Sequence, residues 1–308
     1  MSRFTHEQIA TWRGEGAVLL NRFFSSEEIA PVYRDFSAIY GTKGKTETAG
    51  SALVQTPSGK IGKFRADQFR NNGDLPMDAS VAFNLLPLHP DLIAFAKAAL
   101  GVENVYLYQA HTWAKYTGDA DYAQPHHCDF PNHTLLVPSD EVATRTLNMI
   151  IYVSDVTLES GATAYVTKSK AAQVLGQDNP FETMDDAVVQ QKLHEVEERA
   201  PGPAGSIFAY GIDAYHRGVN LTEPDGYRFT LTASFKAGGN DMIGFSAWPR
   251  TYLQPWHLIF NHATPDQLAC LGVPRPGNAY WTEDTLRRVQ YRWPDWDLTP
   301  YRVAMDSA

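Results

Sequence analysis

His127, Cys128 and Asp129 stand side by side in the chain, His216 lies 89 residues beyond His127, and Arg228 follows His216 by 12. On an extended strand, side chains two apart share a face. His127 and Asp129 would then grip one metal ion together while Cys128 points away. His216 would complete two nitrogens and one carboxylate on one side of the ion. That set leaves coordination positions open and is the usual arrangement of a non-haem Fe(II) oxygenase. His126 competes with His127 for the role. It stands three residues before Asp129 and faces away on an ideal strand, so His127 is preferred.

Arg228 sits on a run with clean period-two alternation. Arg228, Thr230, Thr232 and Ser234 share one face; Tyr227, Phe229, Leu231, Ala233 and Phe235 share the other. A polar strand face most often meets solvent. So soon after His216 it is expected to line a cavity instead. There Arg228 would take a carboxylate by a two-point fork, with the Thr230 hydroxyl in support.

The elements that must position these residues follow from local signals. Thr5 with Gln8, and Ser25 with Glu28, form capping-box pairs that predict two helices. Ala17 to Leu20 between them reads as a short buried strand. Gly41 to Gly62 is rich in Gly, Ser, Thr and Lys and reads as a loop or flap. Pro90 to Leu100 predicts a helix stopped by Gly101. Val105 to Tyr116 alternates, with Val105, Leu107, Gln109, His111, Trp113 and Lys115 on one face. Thr146 to Ser154, Gly205 to Tyr210 and Tyr227 to Lys236 are further strands, and Asp178 to Ala200 is a helical excursion between strands. Strands without a βαβ rhythm, preceded by helices, give a mainly β fold with flanking helices, of α+β class. The natural proposal is a double-stranded β-helix, the jelly-roll or cupin-like barrel. One domain over residues 1–308 is expected. Residues 1–103 would be a helical and flap part and 104–236 the barrel core. Residues 237–308 would be a Pro- and Trp-rich extension packed on the barrel.

Bulk properties exclude several classes. The hydrophobic fraction of 44% and charged fraction of 20% fit a globular chain. A net charge of −9 argues against a nucleic-acid surface. No apolar run reaches the ~18 residues that span a bilayer, and the N-terminus lacks the apolar core of a secretory signal. Cys128 and Cys270 are too few for a disulfide framework. A cytoplasmic protein with a small-molecule substrate is expected, and neither a membrane nor a nucleic-acid partner; the oligomeric state is left open.

The chain resembles the phytanoyl-CoA dioxygenase family of Fe(II)/2-oxoglutarate-dependent oxygenases. The resemblance rests on an ordered set: Thr5-His6-Glu7-Gln8 with Gly16 to Leu20, the strand Gln109 to Lys115 with Tyr116-Thr117-Gly118, the His127/Asp129 pair, the turn Glu159 to Thr163, and His216 with Arg228. It implies a jelly-roll barrel with iron held by His127, Asp129 and His216, and 2-oxoglutarate anchored on Arg228. It also implies cosubstrate contacts from Gln109 and Lys115, which share a strand face with Trp113. The implied reaction consumes O2 and 2-oxoglutarate, releases succinate and CO2, and hydroxylates an unactivated C–H bond. A carboxylate at Asp129 separates the chain from related halogenases, in which a small residue stands there. Two departures distance it from the family's named substrates. Val166 to Lys170 replaces a frequent Pro-Gly-Ser-His, and the spacing from His216 to Arg228 is one residue longer than a frequent one.

His111 faces inward by alternation and is a candidate for substrate contact, with Phe64, Arg65 and Phe130. Phe64, Arg65 and Gln68 sit on a segment placed to cover the mouth of the site, although a structural role is favoured for them. His133, His194, His257 and His262 read as structural or surface residues, Cys128 as inert packing, and Arg217 as an ion-pair residue facing away from the metal. Two other functions compete. One is a zinc hydrolase or isomerase on a cupin-like barrel, which would give Arg228 no particular job. The other is a non-catalytic barrel that binds a small acid.

Overall fold

The computed structural model describes residues 2–42, 71–119, 123–135, 141–176, 186–245 and 254–306. The strands among them are β1 (Ala17–Leu20), β2 (Asn72–Asp74), β3 (Val105–Tyr116), β4 (Thr146–Tyr152), β5 (Ala164–Val166), β6 (Glu198–Arg199), β7 (Ile207–Gly211), β8 (Tyr215–Arg217) and β9 (Tyr227–Ala237). The α-helices are α1 (His6–Glu15), α2 (Ser26–Tyr40), α3 (Val81–Leu85), α4 (Pro90–Leu100), α5 (Phe130–His133), α6 (Lys168–Leu175) and α7 (Ala187–Val196). Four more follow late in the chain: α8 (His257–Phe260), α9 (Pro265–Ala269), α10 (Glu283–Arg292) and α11 (Thr299–Asp306).

Six strands form one antiparallel sheet in the order β1-β7-β4-β9-β3-β2, and three form a second in the order β6-β5-β8. Residues from both sheets line a shared cavity. This is the mainly β, α+β architecture of a double-stranded β-helix, with the two sheets hydrogen-bonded separately.

The helices start where the caps dictate. Thr5 Oγ1 accepts from the Gln8 amide at 3.2 Å and the Gln8 side chain accepts from the Thr5 amide at 2.8 Å. Ser25 and Glu28 repeat this at the start of α2. Helix α4 ends on Gly101 in the left-handed conformation. Helix α2 buries Ile29, Val32, Phe36 and Tyr40, the spacing of one helix face. The Phe36 ring stacks on Phe229 of β9 with centroids 5.3 Å apart.

Strand β9 has two faces of opposite character. Phe229, Leu231, Ala233 and Phe235 belong to the main apolar core, whereas Arg228, Thr230, Thr232 and Ser234 line the cavity. Trp256, Leu268, Trp281, Leu286, Trp296 and Tyr301, from the late helices and the loops beside them, share that same core. The apolar side of the large sheet is thus covered by helices, and its polar side is turned inward.

Three expectations are corrected in detail. The alternation of β3 is interrupted: its register against β9 shifts between Leu107 and Gln109, leaving Tyr108 as an extra residue. Val105 and Leu107 therefore lie in the apolar core, while Gln109, His111, Trp113 and Lys115 line the cavity. Asp129 is not on a strand; it has helical backbone angles (φ −81°, ψ −18°) and begins α5. Among its described residues, the excursion before β7 is a helix over Ala187–Val196 and ends in strand β6. Its earlier part, the Gly41 to Gly62 loop from residue 43, and Phe64, Arg65 and Gln68 lie outside the described residues.

Phe229 is fully buried and meets Tyr33, Phe36, Tyr116 and Tyr227. Phe229→Ala is expected to cost about 3–5 kcal/mol. Chemical denaturation checks it; a loss below about 1 kcal/mol would mean that this ring cluster does not hold β9 against α2.

Candidate metal centre

His127 and His216 are cross-strand partners in an isolated antiparallel bridge. The amide of each donates to the carbonyl of the other at 3.0 Å. This pairing puts the two side chains on one face, with ring centroids 4.5 Å apart. Both rings are pinned in the same way. His127 Nδ1 lies 3.0 Å from the Pro125 carbonyl, and His216 Nδ1 lies 3.1 Å from the Ala214 carbonyl. A carbonyl only accepts, so each Nδ1 carries the proton and each Nε2 presents its lone pair. Both Nε2 atoms face Asp129 Oδ1, at 3.7 Å and 3.6 Å. All three atoms lie within 4.8 Å of one another. Around an ion with bonds of about 2.1 Å, neighbouring ligand atoms sit roughly 3 Å apart, so modest contraction would bring the set onto one centre.

The second oxygen of Asp129 is already committed. Oδ2 accepts from Asn148 Nδ2 at 3.2 Å and from the Tyr210 hydroxyl at 3.1 Å. Tyr108 donates in turn to Asn148 Oδ1 at 3.1 Å. Asn148 and Tyr210 are register partners on β4 and β7, which places them side by side beneath the carboxylate. The Asp129 amide donates to the Ile212 carbonyl at 3.0 Å and fixes the start of α5. Outer contacts of this kind hold a metal-ligating carboxylate in orientation. Burial works to raise the Asp129 carboxyl, but His216, His127, His133 and the Tyr210 hydroxyl outweigh it and hold the group below its usual range. Burial first, then the neighbouring His216, pushes His127 down to about 4. The donor set at neutral pH therefore includes the Asp129 carboxylate and a bare imidazole nitrogen at His127, with His216 Nε2 beside them.

The cavity, of about 400 Å³, opens from this cluster. Its far wall is built by register pairs between β3 and β9: Lys115 opposite Arg228, Trp113 opposite Thr230, and His111 opposite Thr232. Arg228 Nη1 donates to the Gly161 carbonyl. Lys115 Nζ donates to the Val219 carbonyl at 3.2 Å, and Trp113 Nε1 to Thr232 Oγ1 at 3.2 Å. Gly161 has φ +74°, and a Cβ there would fall 2.6 Å from the Val219 carbonyl oxygen. Glycine thus lets the Glu159 to Thr163 turn pack against the Val219–Asn220 backbone while its carbonyl receives Arg228. Gln109 Nε2 lies 3.0 Å from His111 Nδ1, and burial pushes the buried His111 down to about 4.

The site residues expected from sequence fall into three groups. His127, Asp129, His216, Arg228, Lys115, Gln109, Thr230, Trp113 and His111 all line the cavity. Phe130 does not; it packs with Tyr108, Cys128, Leu193 and Tyr215 in a separate apolar cluster. Phe64 and Arg65 lie outside the described residues. Among the remaining histidines, His133 is corrected from a structural or surface residue to a cavity residue, with its ring 5.5 Å from Tyr108. Asn148, Tyr210 and Tyr108 are site residues that motif and spacing do not reveal. Only Asn148 carried a signal, as a polar residue inside the apolar run of β4. Cys128 is buried, its thiol pushed up by burial, and Sγ lies 3.4 Å from the Asp213 carbonyl oxygen. Arg217 turns away and forks onto Glu197 at 2.8 Å through two nitrogens.

The depressed histidines make stability depend on pH. In the unfolded chain His127 and His111 take up protons near pH 6.5, whereas in the folded protein they do so only near 4. The unfolded state then binds more protons over that window. Stability of the metal-free protein is full above about pH 6.5 and falls as pH drops towards 4, by on the order of 2–3 kcal/mol per group. Urea midpoints at pH 7 and pH 4.5 measure this, and a flat profile would show that these imidazoles are solvated.

A family model described as phytanoyl-CoA dioxygenase (PhyH) matches residues 12–223. The match includes His127, Asp129 and His216 and stops short of Arg228. No curated protein matches the chain. Among solved structures, the chain is similar to EctD from S. alaskensis with 2-oxoglutarate and 5-hydroxyectoine, at 16% identity and TM-score 0.56, over 83% of this chain and 84% of that one. It is similar to SnoK, a non-heme alpha ketoglutarate dependent carbocyclase from nogalamycin biosynthesis, at 20% identity and TM-score 0.53, over 76% and 84%. SnoN, a non-heme alpha ketoglutarate dependent epimerase from the same biosynthesis, is 16% identical with TM-score 0.53, over 75% and 82%. These structures share the fold described above. With a family match that spans more than half of its length, the chain belongs to the phytanoyl-CoA dioxygenase (PhyH) family.

Proposed function

We propose that the protein is an Fe(II)/2-oxoglutarate-dependent dioxygenase that hydroxylates an unactivated C–H bond of a small molecule. The observation that carries this reading is the pairing of two features in one cavity. At one side, two imidazole Nε2 atoms and one carboxylate oxygen converge. In the far wall, two cationic side chains, Lys115 and Arg228, stand opposite each other in register. The donor set is nitrogen and oxygen without thiolate, with room for further ligands, which suits a ferrous ion. His127, Asp129 and His216 would hold it. Solved neighbours support the cosubstrate: SnoN was crystallised with Fe3+ and alpha ketoglutarate, and EctD with 2-oxoglutarate.

Iron and 2-oxoglutarate, when bound, supply the activation of O2 that oxidises the substrate, with release of succinate and CO2. The chain's own residues bind and aim. Arg228 would fork onto the distal carboxylate of 2-oxoglutarate, Thr230 would add a hydroxyl, and Lys115 would add charge from the facing strand. Gln109 and Trp113 would bound the cosubstrate on the same wall. Two neighbouring buried cations repel each other, and a bound dicarboxylate relieves that repulsion, so the wall favours an anion. Asn148 and Tyr210 would keep Asp129 turned so that Oδ1 faces the ion. His111 and His133 line the rest of the cavity and would meet the substrate.

Succinate formation from 2-oxoglutarate, Fe(II) and ascorbate in air tests the reading. Asp129→Ala is expected to lower it by at least about 100-fold, since even outer contacts to a metal are worth 10–100-fold. Arg228→Ala is expected to raise the KM for 2-oxoglutarate roughly 10–150-fold, the worth of a charged hydrogen bond of about 1.5–3 kcal/mol. Unchanged 2-oxoglutarate kinetics in the arginine variant would remove Arg228 from the site. Hydrolase or isomerase activity with zinc, and no turnover with iron across diverse substrates, would overturn the oxygenase reading.

A further inference from the structure

We propose a second divalent-metal site, formed by His126, His194 and Glu197, that takes a borderline transition ion such as Zn2+. It lies outside the cavity, on the neighbour of His127. Glu197 Oε2 stands 3.0 Å from His126 Nε2 and 3.3 Å from His194 Nδ1. One ligand atom from each residue lies within 4.8 Å of the others. Ligand atoms on a tetrahedral ion with bonds of about 2.0–2.1 Å sit roughly 3.3 Å apart. Two of the three separations are therefore already those of a zinc site.

A structural network of imidazoles and a carboxylate would give similar distances. His126 decides between the two. It is 0% exposed, and among the described residues neither of its ring nitrogens has a hydrogen-bond partner. Its Nε2 meets the Glu197 carboxylate as a charge contact at 3.0 Å, and Nδ1 has no polar partner among the described residues. A buried imidazole with both nitrogens unsatisfied calls for a missing water or ion. The surroundings hold the ligands ready for one. Gln190 of α7 clasps the His126 backbone, accepting from its amide at 2.8 Å and donating to its carbonyl at 2.9 Å. His194 follows Gln190 by one helical turn, on the same face of α7. Arg217 fixes the Glu197 carboxylate through a two-point fork, and each oxygen keeps a further lone pair. The Arg217 charge opposes an incoming cation, so moderate rather than tight affinity follows. His194 is exposed and gives the ion a path from solvent. An ion here would staple α7 to the segment that carries His127.

The test uses Zn2+ alone and needs no turnover, so it stands apart from the oxygenase reading. The Asp129→Ala/His216→Ala variant removes two of the three cavity ligands. Prepared metal-free and dialysed against micromolar Zn2+, it is expected to retain one equivalent and to gain thermal stability. Adding His194→Ala, at an exposed position, should weaken binding at least tenfold and abolish the Tm rise. Should the double variant fail to fold, the full chain serves: two equivalents are expected, and one after His194→Ala. Zinc binding unaffected by His194→Ala, or no zinc bound outside the cavity, overturns the site.

Discussion

The antiparallel bridge between His127 and His216 is the constraint on which the rest of the site depends. Residues 89 apart in sequence can share an ion only if the backbone brings them together first. Two amide-to-carbonyl bonds at 3.0 Å do so, and the pairing also decides which way both rings face. Each ring is then locked by a carbonyl two residues upstream in its own chain. Orientation is thus set by local backbone geometry before any ion arrives. A site built this way loses little conformational freedom on binding, which is what preorganisation means in physical terms. The small sheet supports this pairing: β8 is held by β5, and β5 by β6.

Burying three ligands and two cations in one cavity carries a desolvation cost, and the fold offsets part of it by giving each group a polar partner in advance. Asp129 has one oxygen occupied by Asn148 and Tyr210, so only the other seeks a partner. Arg228 and Lys115 each donate to a backbone carbonyl of the loops that close that end. The apolar term that offsets these costs lies on the opposite face of the same strands, where Phe229, Leu231 and Phe235 meet the helices. The architecture inverts the usual exposed antiparallel sheet, since here the polar face is inside and the apolar face is covered by helices.

Much of this was legible because it is written in short-range patterns. The capping boxes at Thr5 and Ser25, the stop at Gly101 and the alternation of β9 each depend on residues within a few positions of one another, and each appears where expected. The bulge at Tyr108 was not legible. Nothing in Leu107-Tyr108-Gln109 marks an extra residue; the shift is set by pairing with β9, more than 100 residues away. Period-two spacing from His127 by itself puts Asp129 on a strand. The chain instead turns into α5, and proximity comes from the Ile212 carbonyl that receives the Asp129 amide. The turn into α5 also carries His133 into the cavity and Phe130 out of it. Of the two supports of the carboxylate, Tyr210 is silent for the same reason: in an aromatic strand it looks like any core residue until its hydroxyl partner is known.

The two faces of β9 also couple the core to the chemistry. Every inward residue from Arg228 to Ser234 is fixed by an outward neighbour, because successive side chains on a strand alternate about one rigid backbone. Packing of Phe36 on Phe229 therefore sets the height of Arg228 above the cavity as well as the stability of the sheet. Lys115 inherits that position through its register with Arg228, and the Gly161 turn follows because its carbonyl receives the guanidinium. A shift of β9 by one residue would bring phenylalanine and leucine into the cavity and bury the arginine among rings. Register along this strand is therefore held jointly by apolar burial on one side and by fixed hydrogen-bond partners on the other, and neither alone would specify where the cation stands.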